Sequence, residues 1–558
     1  MTQLRRFAYV ITLLLAGGTL AAQPSFDQYF TAEKKFLQLP VKNGAPKRNL
    51  EIWKDGVRVR FFDMELAEGT PDWYAYLDIS AWKGKSLEIR VDKLPKEAKA
   101  FRPILQSDED VLEGTPYAEQ FRGQFHFSPK RGWMNDPNGL SYYKGQYHLF
   151  YQHNPYGREW GNMTWGHAVS KDMIHWKEIG DAIHPDGYGP MFSGSAIVDS
   201  QNTSGFGKPG DPALVMFFTG ATCWCQGLAW TNDGVHFNKL DRAAVPRINK
   251  DNRDPKVFWY EPGKHWVMLF WVEREGGLHT QQFLRSDNLK DWTPTSIVKG
   301  GTGNDRYLFE CPDFFELPVD GNPANKKWVL SAANTMYAIG RFDGNTFTPE
   351  EERLLGQFGR DYYAAQTISN DPTGRRIEIG WWRTNTAKEN MNFNQSMSIP
   401  MELKLVTTPD GIRMTRTPVK ELQSLRSKTL ITGVRTLTEK TVNPLKDIKE
   451  DGLEIQATLE PGKARQVTIQ VNGLDLVYDV VAQQLRVDGL KATLPLQKGQ
   501  LQLTIYVDRT GMEIFGNNGL VFMPVNKNLT TKELSVTAKG GKARFTQLDV
   551  YSLQTAWQ

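Results

Sequence analysis

The segment Trp133-Met-Asn-Asp-Pro-Asn-Gly139 opens a series of short motifs rich in Gly, Pro, Asn or aromatic residues. The series continues with Phe192-Ser-Gly-Ser195, Arg253-Asp-Pro255, Glu310-Cys-Pro-Asp313 and Asp361-Tyr-Tyr-Ala-Ala-Gln366. Its reference positions Asp136, Ser193, Asp254, Glu310 and Tyr363 follow at intervals of 57, 61, 56 and 53 residues (193−136, 254−193, 310−254 and 363−310). A repeat of about fifty residues that contains short strands predicts a β-propeller. Residues at one phase of every blade then face one central axis.

A second series of positions repeats with nearly the same period. Four similar segments end in the aromatic residues Trp176, Phe237, Trp292 and Phe347, at intervals of 61, 55 and 55 residues (237−176, 292−237 and 347−292). We predict that these rings mainly pack between blades and do not bind sugar. Together the two series predict five blades between residues 121 and 412.

Alternating segments on both sides of the repeats predict two further β-domains. Residues 25–110 are predicted to form a small antiparallel β-domain. Residues 428–558 carry turn signals about every ten residues, which is typical of a β-sandwich. A Pro start and apolar residues at helical spacing predict a short linking helix over 418–426. The predicted fold class is all-β: a five-bladed β-propeller followed by a C-terminal β-sandwich, with a small N-terminal β-domain.

Composition and charge exclude some classes of function. The 558 residues carry a formal net charge of only +4 and no run of Lys or Arg, which argues against nucleic-acid binding. Aromatic residues make up 12% of the chain, including 17 Trp, which suits both β-structure and stacking on sugar rings. The nine His are scattered, so no metal site is predicted.

The N-terminus has the features of a signal peptide. Arg5 and Arg6 precede an apolar run over residues 7–20, and Ala21-Ala22 offers a small-residue cleavage site. We therefore expect residues 1–22 to be removed from an exported protein, periplasmic or extracellular, without a membrane contact after removal; an uncleaved anchor is the alternative. No later apolar run has the length of a transmembrane helix.

Three cysteines in an exported protein leave at least one thiol unpaired. Cys223 and Cys225 are separated only by Trp224, and a bridge across one residue would be strained. Buried free thiols are therefore predicted, with Cys311 packing behind the site.

Three acidic residues at the shared phase suit the hydrolysis of a glycosidic bond. Cleavage through a covalent intermediate needs one carboxylate to attack the anomeric carbon and one carboxylic acid to protonate the leaving oxygen. Asp136 lies in a tight turn that would fix its carboxylate. Apolar neighbours would keep Glu310 protonated as an acid, whereas Asp254 beside Arg253 would stay ionised and hold sugar hydroxyls.

Each motif alone has an ordinary structural interpretation. Asn-Asp-Pro-Asn-Gly is a common turn, Arg-Asp-Pro a common surface ion pair before a bend, and Glu-Cys-Pro-Asp an ordinary strand end. Their occurrence at one phase of a repeat favours a shared catalytic pocket. A carbohydrate-binding propeller without catalysis is the alternative from another class, but such a protein has no need of a nucleophile.

The five motifs, in this order, resemble those of glycoside hydrolase family 32, which contains invertases, inulinases, levanases and other β-fructofuranosidases. The resemblance spans about residues 121–558. It implies retention of anomeric configuration and no metal or cofactor. By position it implies that Asp136 is the nucleophile, Glu310 the general acid/base and Asp254 the transition-state stabiliser. The fructose subsite that it implies consists of Asn135, Gln152, Trp160, Phe192, Ser193, Arg253, Tyr363 and Trp381.

Two segments depart from the family's usual motifs. Gly220-Ala-Thr-Cys-Trp-Cys-Gln226 differs from the sequence that the family usually has in this blade, and Asp361-Tyr-Tyr replaces the commoner Asp-Phe-Tyr. Both would alter the pocket rim, which leaves the length of the substrate open. The N-terminal domain resembles an accessory module of some bacterial fructan-degrading relatives, and polymer binding, pocket shaping and simple packing stay open as its role.

We expect an exported retaining β-fructosidase that releases fructose from the non-reducing end of fructans such as levan and inulin, or of sucrose. Its partner would be a fructose-containing oligo- or polysaccharide. Endo action and fructosyl transfer are alternatives with the same chemistry. Inverting five-bladed propellers that cleave arabinan or xylan place similar acids farther apart, at about 6.5–9.5 Å against about 5 Å for retention. Linkage preference and oligomeric state do not follow from the sequence.

Overall fold

The computed structural model describes residues 26–94, 99, 101, 104–111, 117–384, 386–388 and 390–557. In these residues the regular structure consists of 41 β-strands and four 3₁₀ helices. The predicted all-β class is confirmed. Among the described helices, none has the length and apolar character needed to cross a bilayer. The predicted signal peptide, residues 1–22, lies outside the described residues.

The N-terminal strands form two small sheets around one apolar core. They are β1 (Phe26–Thr31), β2 (Phe36–Val41), β3 (Lys47–Lys54), β4 (Val57–Glu65), β5 (Trp73–Asp78), β6 (Ser86–Val91) and β7 (Leu105–Ser107), with a 3₁₀ helix at Ser80–Trp82. The strand orders are β1-β6-β3-β4 and β5-β2-β7. Trp73, Ala75 and Leu77 are buried because side chains alternate between the two faces of a strand. Tyr156, from a later part of the chain, also packs into this core.

Five four-stranded antiparallel blades follow. The first contains β8 (Gly132–Tyr143), β9 (Gln146–Asn154), β10 (Thr164–Ser170) and β11 (Lys177–Ile183). The second contains β12 (Met191–Val198), β13 (Leu214–Gly220), β14 (Cys225–Thr231) and β15 (Asn238–Lys239). The third contains β16 (Asn252–Tyr260), β17 (His265–Arg274), β18 (Leu278–Ser286) and β19 (Thr293–Thr302). The fourth contains β20 (Asp313–Val319), β21 (Asn322–Ser331), β22 (Tyr337–Phe342) and β23 (Phe347–Leu354). The fifth contains β24 (Tyr362–Thr367), β25 (Ile377–Trp382), β28 (Met401–Thr408) and β29 (Gly411–Pro418), with the short strands β26 (Phe393–Asn394) and β27 (Ser396–Met397) inserted. Two further 3₁₀ helices, Glu261–Gly263 and Glu275–Gly277, lie in the third blade.

The blades close into a ring around an axis. The first strand of each blade is its inner strand: β8 contacts β12 and β24, β12 contacts β16, and β20 contacts β24. The chain after β25 returns to the first blade, where β26 pairs parallel with β8 through Phe393 and Gly132. Because this pairing joins the last blade to the first, the ring has no open edge at that point.

Each pair of neighbouring blades shares an apolar core. Trp176 packs against the core between the fifth and first blades, Phe237 against that between the first and second, and Trp292 against that between the second and third. Phe347 lies in the core between the third and fourth. The prediction that these aromatic residues pack between blades is confirmed.

A linker and a sandwich complete the chain. The predicted linking helix is a 3₁₀ helix over Lys420–Leu425, which buries Leu422 and Leu425. It is followed by β30 (Arg426–Ile431), β31 (Arg435–Leu437), β32 (Leu453–Glu460), β33 (Gln466–Val471), β34 (Leu474–Asp479), β35 (Gln484–Val487), β36 (Leu490–Thr493), β37 (Leu501–Asp508), β38 (Gly511–Gly516), β39 (Val521–Asn526), β40 (Leu534–Lys539) and β41 (Ala543–Leu553). Two sheets, β30-β41-β32-β37-β38-β39 and β36-β35-β34-β33-β40, bury one core between them, so this part is a β-sandwich.

Candidate active site

The inner strands carry the predicted site residues. Asp136 lies on β8, Phe192 and Ser193 on β12, Arg253 and Asp254 on β16, and Tyr363 on β24, while Glu310 lies three residues before the start of β20. Since inner strands surround the axis of a propeller, residues far apart in the sequence face one another there.

Irregular backbone directs these side chains towards the axis. The ladder register shifts between Met134 and Pro137, between Phe192 and Gly194, between Arg253 and Lys256, and between Tyr363 and Gln366. Such bulges leave residues unpaired and re-aim their side chains. Pro suits these positions because it has no N–H for the ladder. The φ angles of Asp254 (66°) and Glu310 (55°) are positive, which is costly for residues with a Cβ and is common at functional sites.

Asp136 is held by hydroxyl and amide groups. The hydroxyl of Ser193 donates to Asp136 Oδ2 at 2.7 Å. Its neighbour Asn135 is buried and accepts a hydrogen bond from Trp133 Nε1 at 2.8 Å. Burial and the nearby charge of Glu310 raise the pKa of Asp136, while the hydrogen bonds from Ser193 and Asn135 partly offset this. The carboxyl group of Asp136 is therefore poised in the pocket by neighbours on two blades.

Asp254 is almost fully buried, with 3% of its surface exposed. The backbone N–H of Cys311 donates to its Oδ2 at 3.0 Å. Burial raises its pKa to about 7, and the charges of Glu310 and Asp136 add to this shift. The positive charge of Arg253 opposes the shift but does not cancel it. Arg253 Nε stays 3.9 Å from Asp254 Oδ2. The sequence predicts an ionised Asp254 beside Arg253, whereas a pKa near 7 leaves this carboxyl partly protonated around neutral pH.

Arg253 pairs with both acids but hydrogen-bonds Glu310, which it approaches more closely than Asp254. The guanidinium group of Arg253 donates to Glu310 Oε1 and also pairs with Asp251. The hydroxyl of Tyr363 donates to Glu310 Oε2 at 2.7 Å. The Arg253 guanidinium lies 4.2 Å from the centre of the Trp271 ring, which adds a cation–π contact. Both oxygens of Glu310 are thus oriented by neighbours.

Cys311 lies between the two aspartates. Its Sγ is 3.6 Å from Asp136 Oδ2 and 3.4 Å from Asp254 Oδ2. Burial and the surrounding carboxylates raise the thiol pKa well above its ordinary value, so the sulfur remains an S–H donor. The sequence interpretation had only placed Cys311 behind the site. Its position directly after Glu310 was the available signal.

The remaining predicted residues have aromatic or hydrogen-bond contacts of their own. Trp381 packs 6.3 Å from the Tyr363 ring and 5.9 Å from the ring of Trp133, a residue that was not predicted for the site. Trp160 is 55% exposed, and its ring lies 5.9 Å from that of Phe192 at the rim. Gln152 is buried, and its amide donates to the Met191 carbonyl at 2.9 Å, so it supports β12.

The structure corrects the prediction of free thiols at the rim. Cys223 and Cys225 form a disulfide with their Cα atoms 5.1 Å apart, within the usual range. Trp224 between them has a φ of 51°, and this left-handed turn allows the bond across one residue. Cys311 is the free cysteine and is buried. In the described residues, no group of three or more His, Cys, Asp or Glu could hold a metal ion.

Comparisons with known proteins identify the family of this chain. The family model for the glycosyl hydrolases family 32 N-terminal domain matches residues 126–418, and that for the family 32 C terminal matches residues 421–552. The levanase of Bacillus subtilis is 37% identical over 496 residues, covering 80% of this chain and 72% of the relative. The extracellular exo-inulinase of Aspergillus ficuum is 31% identical over 525 residues, covering 79% and 96%. The crystal structure of exo-inulinase from Aspergillus awamori matches with a TM-score of 0.72 at 28% identity, over 79% of this chain and all of the other. This chain therefore belongs to glycoside hydrolase family 32.

Proposed function

We propose that this glycoside hydrolase is an exported, retaining β-fructofuranosidase that releases fructose from the non-reducing end of fructans or sucrose. Hydrolysis of the β-fructofuranosidase type is supported by its family and by its levanase and exo-inulinase relatives. The observation that carries the proposal is the meeting of three acids on the axis, where Cys311 joins Asp136 to Asp254 and Arg253 joins Asp254 to Glu310.

In the first step, the Asp136 carboxylate attacks C2 of the terminal fructose. The bond from C2 to the leaving oxygen breaks, and Glu310 gives its proton to that oxygen. Arg253 and Tyr363 hold Glu310 in place for this transfer. Asp254 holds fructose hydroxyls as the ring flattens towards an oxocarbenium-like transition state.

In the second step, water resolves the fructosyl ester on Asp136. Glu310 takes a proton from the water, whose oxygen bonds to C2 as the bond to Asp136 breaks. Two displacements at C2 release β-fructofuranose with its configuration retained. When the reaction runs in methanol and water, NMR should detect methyl β-fructofuranoside. Formation of the α-anomer would instead support inversion.

The roles of the two acids predict a severe loss of turnover in isosteric variants. Asp136→Asn removes the nucleophile and Glu310→Gln removes the proton donor, so each should lower kcat on sucrose by roughly a thousandfold or more. Fructose binding, measured by calorimetry, should persist in both variants. Asp475→Asn, at an exposed sandwich position, is the matched control. A near-normal kcat in either active-site variant would refute its assigned role.

Exo action is supported by the burial of residues next to the two catalytic acids. Asp254 and Asn135 expose only 3% and 5% of their surfaces, and the pocket lies on the axis between inner strands. Such a site takes a chain end more readily than the middle of a polymer. Early products from levan, inulin and sucrose should contain free fructose alone. Early oligosaccharides would indicate endo action, and longer products at high sucrose would indicate fructosyl transfer.

Export is supported by the features of residues 1–22 and by the disulfide. Disulfides persist mainly in oxidising compartments, and the Cys223–Cys225 bond fits such a compartment. The relative from Aspergillus ficuum is named as extracellular. Cell fractionation with N-terminal sequencing should recover the mature chain outside the cytoplasm, beginning close to residue 23. An intact N-terminus in the cytoplasm would refute export.

A further inference from the structure

We propose that Trp224, fixed by the Cys223–Cys225 disulfide, forms the wall of the subsite for the leaving sugar. The occupant is the fructosyl or glucosyl unit bonded to the fructose that is removed. This inference rests on the proposed function, because only an enzyme that cleaves such substrates has a leaving sugar.

The backbone of Trp224 is held from both sides. The disulfide joins its two neighbours, Cys223 and Cys225. The N–H of Trp224 donates to the Gly220 carbonyl at 2.8 Å, and its carbonyl accepts a hydrogen bond from the Asn252 amide. A positive φ is unfavourable for a large aromatic residue, so this conformation depends on such restraints. The ring is therefore presented in one place and is only half-buried.

The position of the ring identifies the side of the pocket that it serves. The Trp224 ring lies 5.8 Å from that of Phe192, which in turn lies 5.9 Å from that of Trp160, so the three rings form a row along the rim. The Arg253 guanidinium is 5.9 Å from the Trp224 ring and donates to Glu310. The proposed acid must face the leaving oxygen. The half-buried Trp224 ring lies beside Arg253, which binds this acid, and is thus on the leaving-group side of the pocket.

Aromatic walls suit this occupant. Sugar rings carry apolar C–H faces that pack on the faces of Trp, while their hydroxyls remain in water. A wall of this kind adds affinity for the second sugar without touching the reacting carbon. Its loss should therefore change KM more than kcat.

Two substitutions test the wall. Trp224→Ala should raise the KM for sucrose and for a fructosyl-sucrose trisaccharide about tenfold, with kcat within about threefold, and Trp224→Phe should lie between this variant and wild type. The inhibition constant for free fructose should stay within twofold, because fructose occupies the neighbouring subsite. Trp230→Ala is the control: Trp230 lies on β14 of the same blade, is also half-buried, and stacks on Phe206 at 4.0 Å.

The outcomes separate this inference from the function on which it rests. An unchanged KM in Trp224→Ala would overturn the inference. A parallel loss of fructose inhibition would also overturn it, because the ring would then belong to the fructose subsite. If the wild-type protein cleaves none of these substrates, the proposed function itself fails.

The disulfide is tested separately. Tris(2-carboxyethyl)phosphine reduces the S–S bond to two thiols and becomes the phosphine oxide, with its oxygen taken from water. Reduction of the folded wild type, verified by the mass added on thiol alkylation, should raise KM towards the value of Trp224→Ala. The same reductant should leave KM unchanged in Trp224→Ala and in the double variant Cys223→Ser/Cys225→Ser. A fully reduced wild type with an unaltered KM would overturn the role of the disulfide.

Discussion

Cys311 joins the two aspartates of the pocket through one sulfur atom. Its S–H can donate to Asp254, and its backbone N–H already does. Cys311→Ala removes the side-chain donor and leaves a gap in a buried site, so kcat should fall about tenfold, as expected for the loss of about 1.4 kcal/mol. Cys311→Ser keeps a donor and should retain more activity. Steady-state rates on sucrose compare the two. Equal losses in both variants would mean that the sulfur only fills space.

The raised pKa of Asp254 should make the stability of the protein depend on pH. Its pKa is about 7 in the folded protein, against an ordinary value of 3.8. Between these values the folded state keeps a proton that the unfolded state has lost, so stability falls as pH rises from about 4 to 7, by up to about 4 kcal/mol. Asp254→Asn does not titrate and should gain stability over wild type as pH rises. Thermal melting at pH 4 and pH 8 tests this. A stability difference that does not grow with pH would contradict it.

At the scale of single residues, the sequence identified the residue types of the site and their position in the repeat, but not their contacts. The repeat placed Asp136, Asp254 and Glu310 at one phase of the blades. In the structure these acids are linked through shared neighbours, since Cys311 contacts Asp136 and Arg253 contacts Glu310. The hydrogen bond of Arg253 to Glu310, in addition to its ion pair with Asp254, could not be predicted, because it depends on where the bulged strands direct each side chain. The Cys223–Cys225 disulfide was missed because it depends on the left-handed turn at Trp224.

At the scale of elements, the loop between β9 and β10 connects the N-terminal domain to the pocket rim. Phe62 stacks on Tyr156 with ring centres 3.8 Å apart. The side chain of Asn162 accepts from the backbone N–H of Asp63 at 3.0 Å and donates to its carbonyl at 2.7 Å. Trp160 lies between these two anchors. Of the roles left open for the N-terminal domain, these contacts favour shaping the pocket.

Loosening either anchor should weaken substrate binding. Asn162→Gly removes the side chain but tolerates the positive φ of 48° at this position, and Phe62→Ala removes the stack. Each should raise the KM for inulin several-fold and leave kcat within about twofold, because Trp160 becomes mobile while the acids stay in place. Asn49→Ala, whose side chain binds Asp92 inside the N-terminal domain, is the control. No change of KM in either anchor variant would favour a packing role.

At the scale of the whole molecule, period and alternation predicted an all-β chain with a propeller and a sandwich, because both patterns follow from local burial. The contact between these two parts was not predicted, since it joins residues almost 400 positions apart. His126, ahead of the first blade, is fully buried against Asp508 and Glu513 of the sandwich. The distances are 2.8 Å from Nδ1 to Asp508 and 2.9 Å from Nε2 to Glu513. Both ring nitrogens can donate only in the charged imidazolium.

This contact should make the protein less stable as the pH becomes alkaline. Burial alone would lower the pKa of His126, but its hydrogen bonds to Asp508 and Glu513 outweigh burial and raise the pKa to about 9 from 6.5. The stabilisation is therefore complete below about pH 6.5 and is lost as pH rises through 9, by about 3 kcal/mol. Urea midpoints of wild type should fall over this window, whereas those of His126→Gln should start lower and change less. Asp508→Asn should also flatten the profile, because it removes one of the two carboxylates. Wild-type and variant profiles that run parallel from pH 6.5 to 9 would show that His126 does not carry a proton between the two parts.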